Sequence, residues 1–553
     1  MPKNKYLLLA SSLGVLALLM VSAVQENFLK EWRKIQSVGM SDEGSIDVRL
    51  RQVINPGLRV TDRCVSCHVT MGAGEGSVRG AKVLVAHKAV VHDPTEYGCT
   101  VCHGGQGLAT EKADAHGDVH FWPEPMLPAR YSYAGCGTCH APLNVPNSES
   151  YRRAVAAFER LDCYACHRVE GKGGTIRPDG SGMEGPDLSR AGLAGYDRAW
   201  YSRHLSKMET APLKAWKASF APVTEADQQL LGVYLSTCVG ASKLVEAKSA
   251  FHTAGCLGCH KVSGVGGDSG PDLSRAGEKD PALADFAHVN GPATLANWQA
   301  EHLRSPLSIV TGSQMPSLGL DDRDIDQLVF YTLSLRRREV QGNYVPKDRM
   351  RAQRFGEREF SSDGGTVYGT FCAGCHGLAG SGIRSPGLAS FPSIANPDLL
   401  ERVSDQFLED TIRHGRPGRR MPAWGDIASG LKLDEIRSVI GYLRVLSGAG
   451  HKPESAAARW VKGDPAAGKA LFASTCAGCH GASGEGAEAP ALNNQVLLNS
   501  ATDTYLVETI GRGRRGTVMQ GFVDPSPARR TLSPHEIESV VAFVRTWEKK
   551  GKP

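Results

Sequence analysis

The chain has 553 residues, more than one hydrophobic core accommodates, so several domains are expected. Its 41% hydrophobic and 22% charged residues exclude a disordered chain, and its formal charge is a modest +5. Aromatic side chains make up only 7%, thin for domains of about 100 residues, so something else must fill part of each core.

The N-terminus carries Lys3 and Lys5, followed by an uncharged apolar run from Tyr6 to Val24. Nineteen residues at 1.5 Å rise reach about 28 Å, close to the hydrocarbon thickness of a bilayer. The competing reading is a signal peptide cleaved after Val21-Ser22-Ala23. The run is longer than the usual signal core, and an uncleaved anchor over 1–25 is expected. The preceding lysines place the N-terminus in the cytoplasm and the remainder on the periplasmic side of the inner membrane.

Beyond the anchor the cysteines dominate. Of 15, 14 lie in seven copies of Cys-x-x-Cys-His. The copies are Cys64/Cys67/His68, Cys99/Cys102/His103, Cys136/Cys139/His140, Cys163/Cys166/His167, Cys256/Cys259/His260, Cys372/Cys375/His376 and Cys476/Cys479/His480. Cys-x-x-Cys by itself fits zinc, a redox disulfide or haem. A histidine directly after the second cysteine, repeated with unchanged spacing, selects covalent haem. The two thiols add to the porphyrin vinyl groups, and the adjacent imidazole turns under the ring to ligate iron. Seven haem c groups are therefore expected, and an exported chain suits them. Cys238 is left over, in an apolar helical stretch, and reads as a small buried hydrophobe.

The first three motifs, Cys64 to His140, crowd into 77 residues. Between them stand His87, His92, His116 and His120. Three irons need three sixth ligands. His87, His92 and His116 are assigned, with His120 as the fourth candidate. In small multihaem cytochromes such density accompanies bis-histidine ligation and a fold organised by the haems. Residues 26–145 are taken as this trihaem segment, with little regular structure.

Four repeats follow, at 146–242, 243–340, 341–452 and 453–553. The phrase Gly-Pro-Asp-Leu-Ser-Arg-Ala-Gly occurs at Gly185–Gly192 and again at Gly270–Gly277. Looser copies are Pro386-Gly387-Leu388 and Pro490-Ala491-Leu492. Phe158, Phe251, Tyr368 and Phe472 stand just before the four first cysteines, near the end of an expected helix. Each repeat closes on an amphipathic helix with an acid and an aromatic seven residues apart. These pairs are Asp227/Tyr234, Asp324/Tyr331, Glu435/Tyr442 and Glu536/Phe543. Seven residues are about two turns, so each pair shares a face. Ser533-Pro534-His535-Glu536 is a capping box with proline at its first helical position.

This order resembles the class I cytochrome c fold, a mainly α architecture. The resemblance implies a proline loop whose carbonyl accepts a hydrogen bond from the ligating histidine, and a distal methionine loop. Met421 in RHGRPGRRMPAW, Met315 in TGSQMPSLG and Met519 in GRGRRGTVMQGF occupy the methionine position, the last without the following proline. In the first repeat, aligning Trp200/His204 on Trp298/His302 puts Lys217 opposite Met315. Its sixth ligand is Met208, Lys217, His204 or none, with Met208 preferred. An iron left open there is the one obvious place for small-molecule chemistry. Arg413/Arg416/Arg419/Arg420 and Arg512/Arg514/Arg515 flank the last two methionine loops. They form either a solvated face, propionate partners or a dock for an acidic redox protein. Propionate charge offsets the basic residues, so no nucleic-acid partner is expected.

As a whole the chain resembles the cytochrome c subunit of quinol:cytochrome c oxidoreductases. This implies a membrane-tethered respiratory wire rather than a stand-alone enzyme. Electrons come from a cytochrome b/Rieske-type or other integral-membrane quinol-oxidising subunit and go to a soluble cytochrome c or an oxidase. YGCTVCHGGQG resembles the multihaem subunits of membrane electron-transfer complexes. CVSCHVTM is similar to the first haem site of the NapC/NrfH quinol dehydrogenases, the alternative class. A haem enzyme with an open Cys163–Cys166 site is a third.

Overall fold

A computed structural model describes residues 2–549 except 72–77, 88–89, 177–179, 181, 184, 196–198, 201–202, 204–222, 337, 385–390, 426–429 and 451–458. The architecture is mainly α, as the sequence predicts, and its strands are two- and three-residue antiparallel hairpins. The first helix, Pro2–Val24, has no acidic residue in its first turn and no basic residue in its last. Leu7, Leu8, Leu13, Leu16 and Leu19 all face outward, and this is the one helix among the described residues long and apolar enough to cross a membrane by itself. A wider turn at Gln25–Leu29 ends it, before Glu31–Ser37 buries Trp32.

Backbone contacts divide the chain into two units. One comprises Met1–His140, Arg275–Gln299 and Thr332–Met350; the other comprises Ala141–Ser274, Ala300–Tyr331 and Arg351–Pro553. In the first unit, regular structure is brief around the three motifs. A hairpin pairs Val53–Asn55 with Val60–Asp62, and helical turns run Pro94–Tyr97, Thr100–His103 and Lys112–His116. The buried Asp62 carboxylate ties this hairpin to the second motif, beside a small cluster of Leu58, Val60 and Val101. Its Oδ2 accepts from the backbone nitrogens of Cys99 and Thr100 at 2.5 and 2.8 Å, which fixes the start of the second motif.

The second unit repeats one design. A helix leads into each motif, and a closing helix crosses it where two aromatic rings meet. Phe158 of Ser148–Arg160 meets Tyr234 of Glu225–Thr237 at 4.6 Å between centroids, and Phe251 of Ser242–Thr253 meets Tyr331 of Asp322–Ser334 at 4.6 Å. Tyr368 of Gly364–Phe371 meets Tyr442 of Leu433–Ser447 at 5.4 Å, and Phe472 of Pro465–Thr475 meets Phe543 of Pro534–Arg545 at 5.5 Å. Aromatic pairs add about 0.5–1.5 kcal/mol beyond burial. Small residues let the helices approach: a Cβ on Gly468 would meet the Ser539 carbonyl oxygen at 1.9 Å, and one on Gly364 the Ser438 carbonyl oxygen at 2.1 Å.

The helix ends are set by their side chains. Ser533 Oγ accepts from Glu536 N at 3.3 Å and Glu536 Oε2 accepts from Ser533 N at 2.9 Å, the capping box expected from the sequence. Asn147, Thr224, Asp363 and Asp464 cap four other helices of the repeats. Cys238 is buried in the Phe158–Tyr234 core, where its thiol donates to the Tyr234 carbonyl at 3.5 Å.

Phe472→Ala should empty the centre of the last aromatic cluster, which Trp547 completes at 5.3 Å. A loss of about 3–5 kcal/mol is expected for that domain. Differential scanning calorimetry of the full chain checks it: one component should move to lower temperature, and an unaltered trace contradicts the assignment.

Candidate haem-binding sites

Each motif makes a single turn that brings its two cysteines to one side, with the histidine nitrogen bonded back to the first cysteine's carbonyl. The His167, His260, His376 and His480 amides donate to Cys163, Cys256, Cys372 and Cys476 at 2.8 to 3.0 Å. What then orients each imidazole is the carbonyl on its far side. His167 Nδ1 lies 2.9 Å from the Pro186 oxygen, His260 Nδ1 2.8 Å from that of Pro271, and His480 Nδ1 2.8 Å from that of Pro490. A ring that donates through Nδ1 keeps Nε2 as its lone-pair nitrogen, the form that binds metal.

The repeated Gly-Pro-Asp-Leu-Ser phrase builds this support. At Gly185 a Cβ would stand 2.7 Å from the His167 ring, and at Gly270 2.6 Å from that of His260, so glycine lets the loop close on the imidazole. Proline supplies the acceptor. The aspartate pins the turn: Asp187 Oδ1 accepts from Ser189 N at 2.8 Å and Asp272 Oδ1 from Ser274 N at 2.7 Å. Each serine hydroxyl then accepts from the chain just beyond the histidine, from Glu170 N and Ser263 N, both at 2.7 Å.

The third repeat departs from expectation. Pro386-Gly387-Leu388 lies outside the described residues, and the carbonyl at His376 Nδ1 is that of Pro392, at 2.8 Å. The sequence spacing favoured the first proline, because ten residues separate it from the histidine. Ile383 and Phe391 pair as a bridge, and Pro392, directly after it, meets the ring. Met208, Lys217 and His204, the candidates for the first repeat, also lie outside the described residues.

The methionine loops of the last two repeats superpose by their bonding. Arg416 N donates to the Met421 carbonyl at 2.9 Å, as Arg514 N does to that of Met519 at 2.8 Å. Trp424 N and Phe522 N return to Ile412 and Ile510, each at 3.0 Å. The missing proline after Met519 therefore leaves the loop path intact. Met315, Met421 and Met519 are all half-buried.

The two repeats face each other through these loops. Asn396 Nδ2 donates to the Arg515 carbonyl at 2.8 Å, and its counterpart Asn494 Nδ2 to the Pro417 carbonyl at 3.3 Å. Phe407 and its counterpart Tyr505 meet at 5.5 Å. Equivalent residues contacting each other's partner is the signature of a local two-fold. Beside that axis the arginines separate into classes. Arg413 and Arg419 are exposed, whereas burial pulls the Arg416 guanidinium down to about 10. Arg416 Nη2 donates to Thr411 at 3.1 Å, and its Nη1 is buried with no hydrogen-bond partner among the described residues. A buried, half-satisfied guanidinium fits a propionate.

The second and third repeats meet differently, through the motifs themselves. Cys259 and Cys375 Sγ lie 3.8 Å apart. A Cβ on Gly255 would strike Gly374 N at 2.1 Å, and one on Gly258 would lie 2.9 Å from the Phe371 carbonyl oxygen. Gly255 and Phe371 each precede a first cysteine, and Gly374 and Gly258 each precede a second one, so this contact too is reciprocal.

Cys479 breaks the pattern of enclosed thiols that a haem crevice leads one to expect. It is the exposed member of the fourteen motif cysteines; its counterpart Cys375 is buried and the other twelve are half-buried. The sequence could not distinguish them, because Cys372–His376 and Cys476–His480 read identically as CAGCH. The difference comes from what lies outside each motif. The second repeat covers Cys375 and brings the Gly255 carbonyl oxygen to 2.3 Å from where a Cβ on Gly374 would stand. A Cβ on the equivalent Gly478 would meet nothing within 4 Å, so among the described residues no second motif covers Cys479.

In the N-terminal unit the histidines gather in facing sets. The His87 and His103 ring centroids are 6.2 Å apart and those of His92 and His140 6.1 Å. Two metal–nitrogen bonds of about 2 Å plus about 1 Å from each nitrogen to its ring centre span about 6 Å. Burial lowers the proton affinity of His68, and the charge of His116 acts on it in the same direction. His103 is lowered by burial and then by His87. Such rings stay neutral, as metal ligands must. His120 packs on Phe121 at 6.0 Å and is exposed. His140 Nδ1 faces a carboxylate, Asp348 Oδ2, at 3.1 Å. Sequence reasoning missed this residue because 208 positions separate the two.

The family model "Cytochrome c" matches residues 244–336 and 465–548, and "Cytochrome C oxidase, cbb3-type, subunit III" matches 361–443. Among curated proteins, the cbb3-type cytochrome c oxidase subunit FixP of Bradyrhizobium diazoefficiens is 35% identical over 30% of this chain and 56% of its own. Subunit CcoP of Rubrivivax gelatinosus is 29% identical over 35% of this chain and 54% of its own. The chain thus spans little more than half the length of these relatives. A chain of the Kuenenia stuttgartiensis reducing HAO-like protein complex Kustc0457/Kustc0458 is 19% identical with a TM-score of 0.21, covering 34% of this chain and 96% of that one, a likeness too slight to define the fold. The protein carries cytochrome c domains with covalently bound haem c behind a single apolar N-terminal helix.

Gly270→Val should push the His260 ring off its position. One haem fewer per chain than the parent is expected from a pyridine haemochrome assay; the parental count refutes this account of the loop.

Proposed function

We propose that the chain is a periplasmic, membrane-tethered heptahaem wire. All seven Cys-x-x-Cys-His motifs carry haem c, the one with the exposed Cys479 included. The N-terminal three are bis-histidine sites with the pairs His68/His116, His103/His87 and His140/His92, and the domains run 26–145, 146–242, 243–340, 341–452 and 453–553. His260, His376 and His480 take Met315, Met421 and Met519, and His167 takes Met208. When bound, these groups supply one-electron chemistry. The chain's own residues hold them close and set their potentials.

The observation that carries this reading is the 3.8 Å contact between Cys259 and Cys375, each the second cysteine of its motif. Thioether sulfurs that touch leave no room for protein between two macrocycles. The reciprocal methionine-loop contact joins the third repeat to the fourth on its other side. The third repeat is thereby the junction of a row. Methionine ligation raises potential relative to bis-histidine, so electrons run from the anchored end toward the C-terminus.

The donor in this reading is an integral-membrane quinol-oxidising subunit of the cytochrome b/Rieske type, and the acceptor is a soluble cytochrome c or an oxidase in the inner membrane. The FixP and CcoP relatives are oxidase subunits by name, which favours an oxidase at the receiving end.

A potentiometric titration with haem quantitation tests the proposal. Seven haems per chain in two groups of potential are expected, together with a bisignate Soret circular dichroism signal from the touching pair. Four haems, or a single potential group, would sink it.

A further inference from the structure

Five of the motif histidines rest on a peptide carbonyl: His68 on Val83, and His167, His260, His376 and His480 on prolines. His140 does not. Its Nδ1 stands 3.1 Å from Asp348 Oδ2, with the carboxylate 2% and the imidazole 13% exposed. Asp348 sits in the first turn of the helix Lys347–Phe355, where the positive end of the helix dipole favours a carboxylate over an acid. Arg349 and Arg338 bring positive charge to the same site. Arg349 donates to the Thr138 and Arg338 carbonyls at 3.1 and 3.3 Å, and both arginines act on Cys139.

We infer that Asp348 is a positioning residue that makes His140 an anion-backed ligand, and so holds the haem at Cys136 and Cys139 at a lower potential than the haems at the five carbonyl-backed histidines. The inference rests on the reading that this motif carries haem. A carboxylate behind a metal-bound imidazole raises the basicity of the ligating nitrogen more than a peptide carbonyl does. Stronger donation and a buried negative charge both favour ferric over ferrous iron. The Arg349 and Arg338 charges oppose this effect. They remain when only the carboxylate is neutralised, so an isosteric substitution isolates the anion. His92 across the site gives the iron a second imidazole in the same reading, at 6.1 Å from the His140 ring.

The full-length holoprotein is titrated spectropotentiometrically, with electron paramagnetic resonance of the oxidised form. The haem is first identified by subtraction, as the component absent from a Cys136→Ala/Cys139→Ala variant. In the parent it should be reduced after the haems of the five carbonyl-backed sites. Asp348→Asn should raise its ferrous-to-ferric ratio at fixed potential at least tenfold, about 59 mV for one electron, and shift that component's g values alone. Asp348→Glu should restore the parental ratio to within threefold. A subtracted component reduced early in the parent overturns the inference, whether or not the asparagine variant folds. So does an Asp348→Asn midpoint unmoved with the haem retained. An unchanged haem count in the double-cysteine variant instead refutes the haem reading of this motif.

Discussion

Everything in the haem-bearing repeats depends on where one N–H bond points. An imidazole tethered by its neighbours in Cys-x-x-Cys-His can still rotate, and only a fixed acceptor behind Nδ1 makes Nε2 a directed ligand. One such bond contributes about 1 kcal/mol net, too little to hold a ring by itself. The loop therefore adds steric closure. Gly185 and Gly270 lie so near the ring that no Cβ fits, and the Asp187–Ser189 and Asp272–Ser274 turns lock the loop that carries the carbonyl. The eight-residue repeat is the chain's way of writing that brace twice.

Around the brace the frame is economical. Two helices cross at an aromatic pair in each repeat, and a thin layer of aliphatic side chains completes the described core. A porphyrin bound at the motif supplies the apolar centre that so few aromatics leave unfilled. This explains how domains of about 100 residues manage with such modest cores.

The repeats are then joined in two ways, each by reciprocal contacts of equivalent residues. One places the motifs themselves back to back through Gly255, Gly258, Gly374 and Phe371. The other interlocks the methionine loops through Asn396 and Asn494. A domain with two different self-complementary faces can extend in a row, and the third repeat uses both. The fourth uses only the methionine-loop face among the described residues, which leaves Cys479 open to solvent. Arg416 beside that face sets the basic cluster apart from a uniform surface: Arg413 and Arg419 are exposed, whereas Arg416 Nη1 is buried with no hydrogen-bond partner among the described residues.

The sequence by itself determined the mainly α class, the apolar anchor, the haem motifs and the crossing aromatic pairs. It also determined three of the four proline acceptors. These features are local: a two-residue cysteine spacing, a seven-residue helical repeat or a fixed loop length needs no distant partner. Tertiary structure decided the rest. It put Pro392 rather than Pro386 behind His376, where the Ile383–Phe391 bridge holds the chain just before that proline. It buried Cys375 and exposed Cys479 within identical motifs. It brought Asp348 to His140 and Cys259 to Cys375 across 208 and 116 positions. Contacts of that range follow from how separate elements pack, and no periodicity along the chain encodes them.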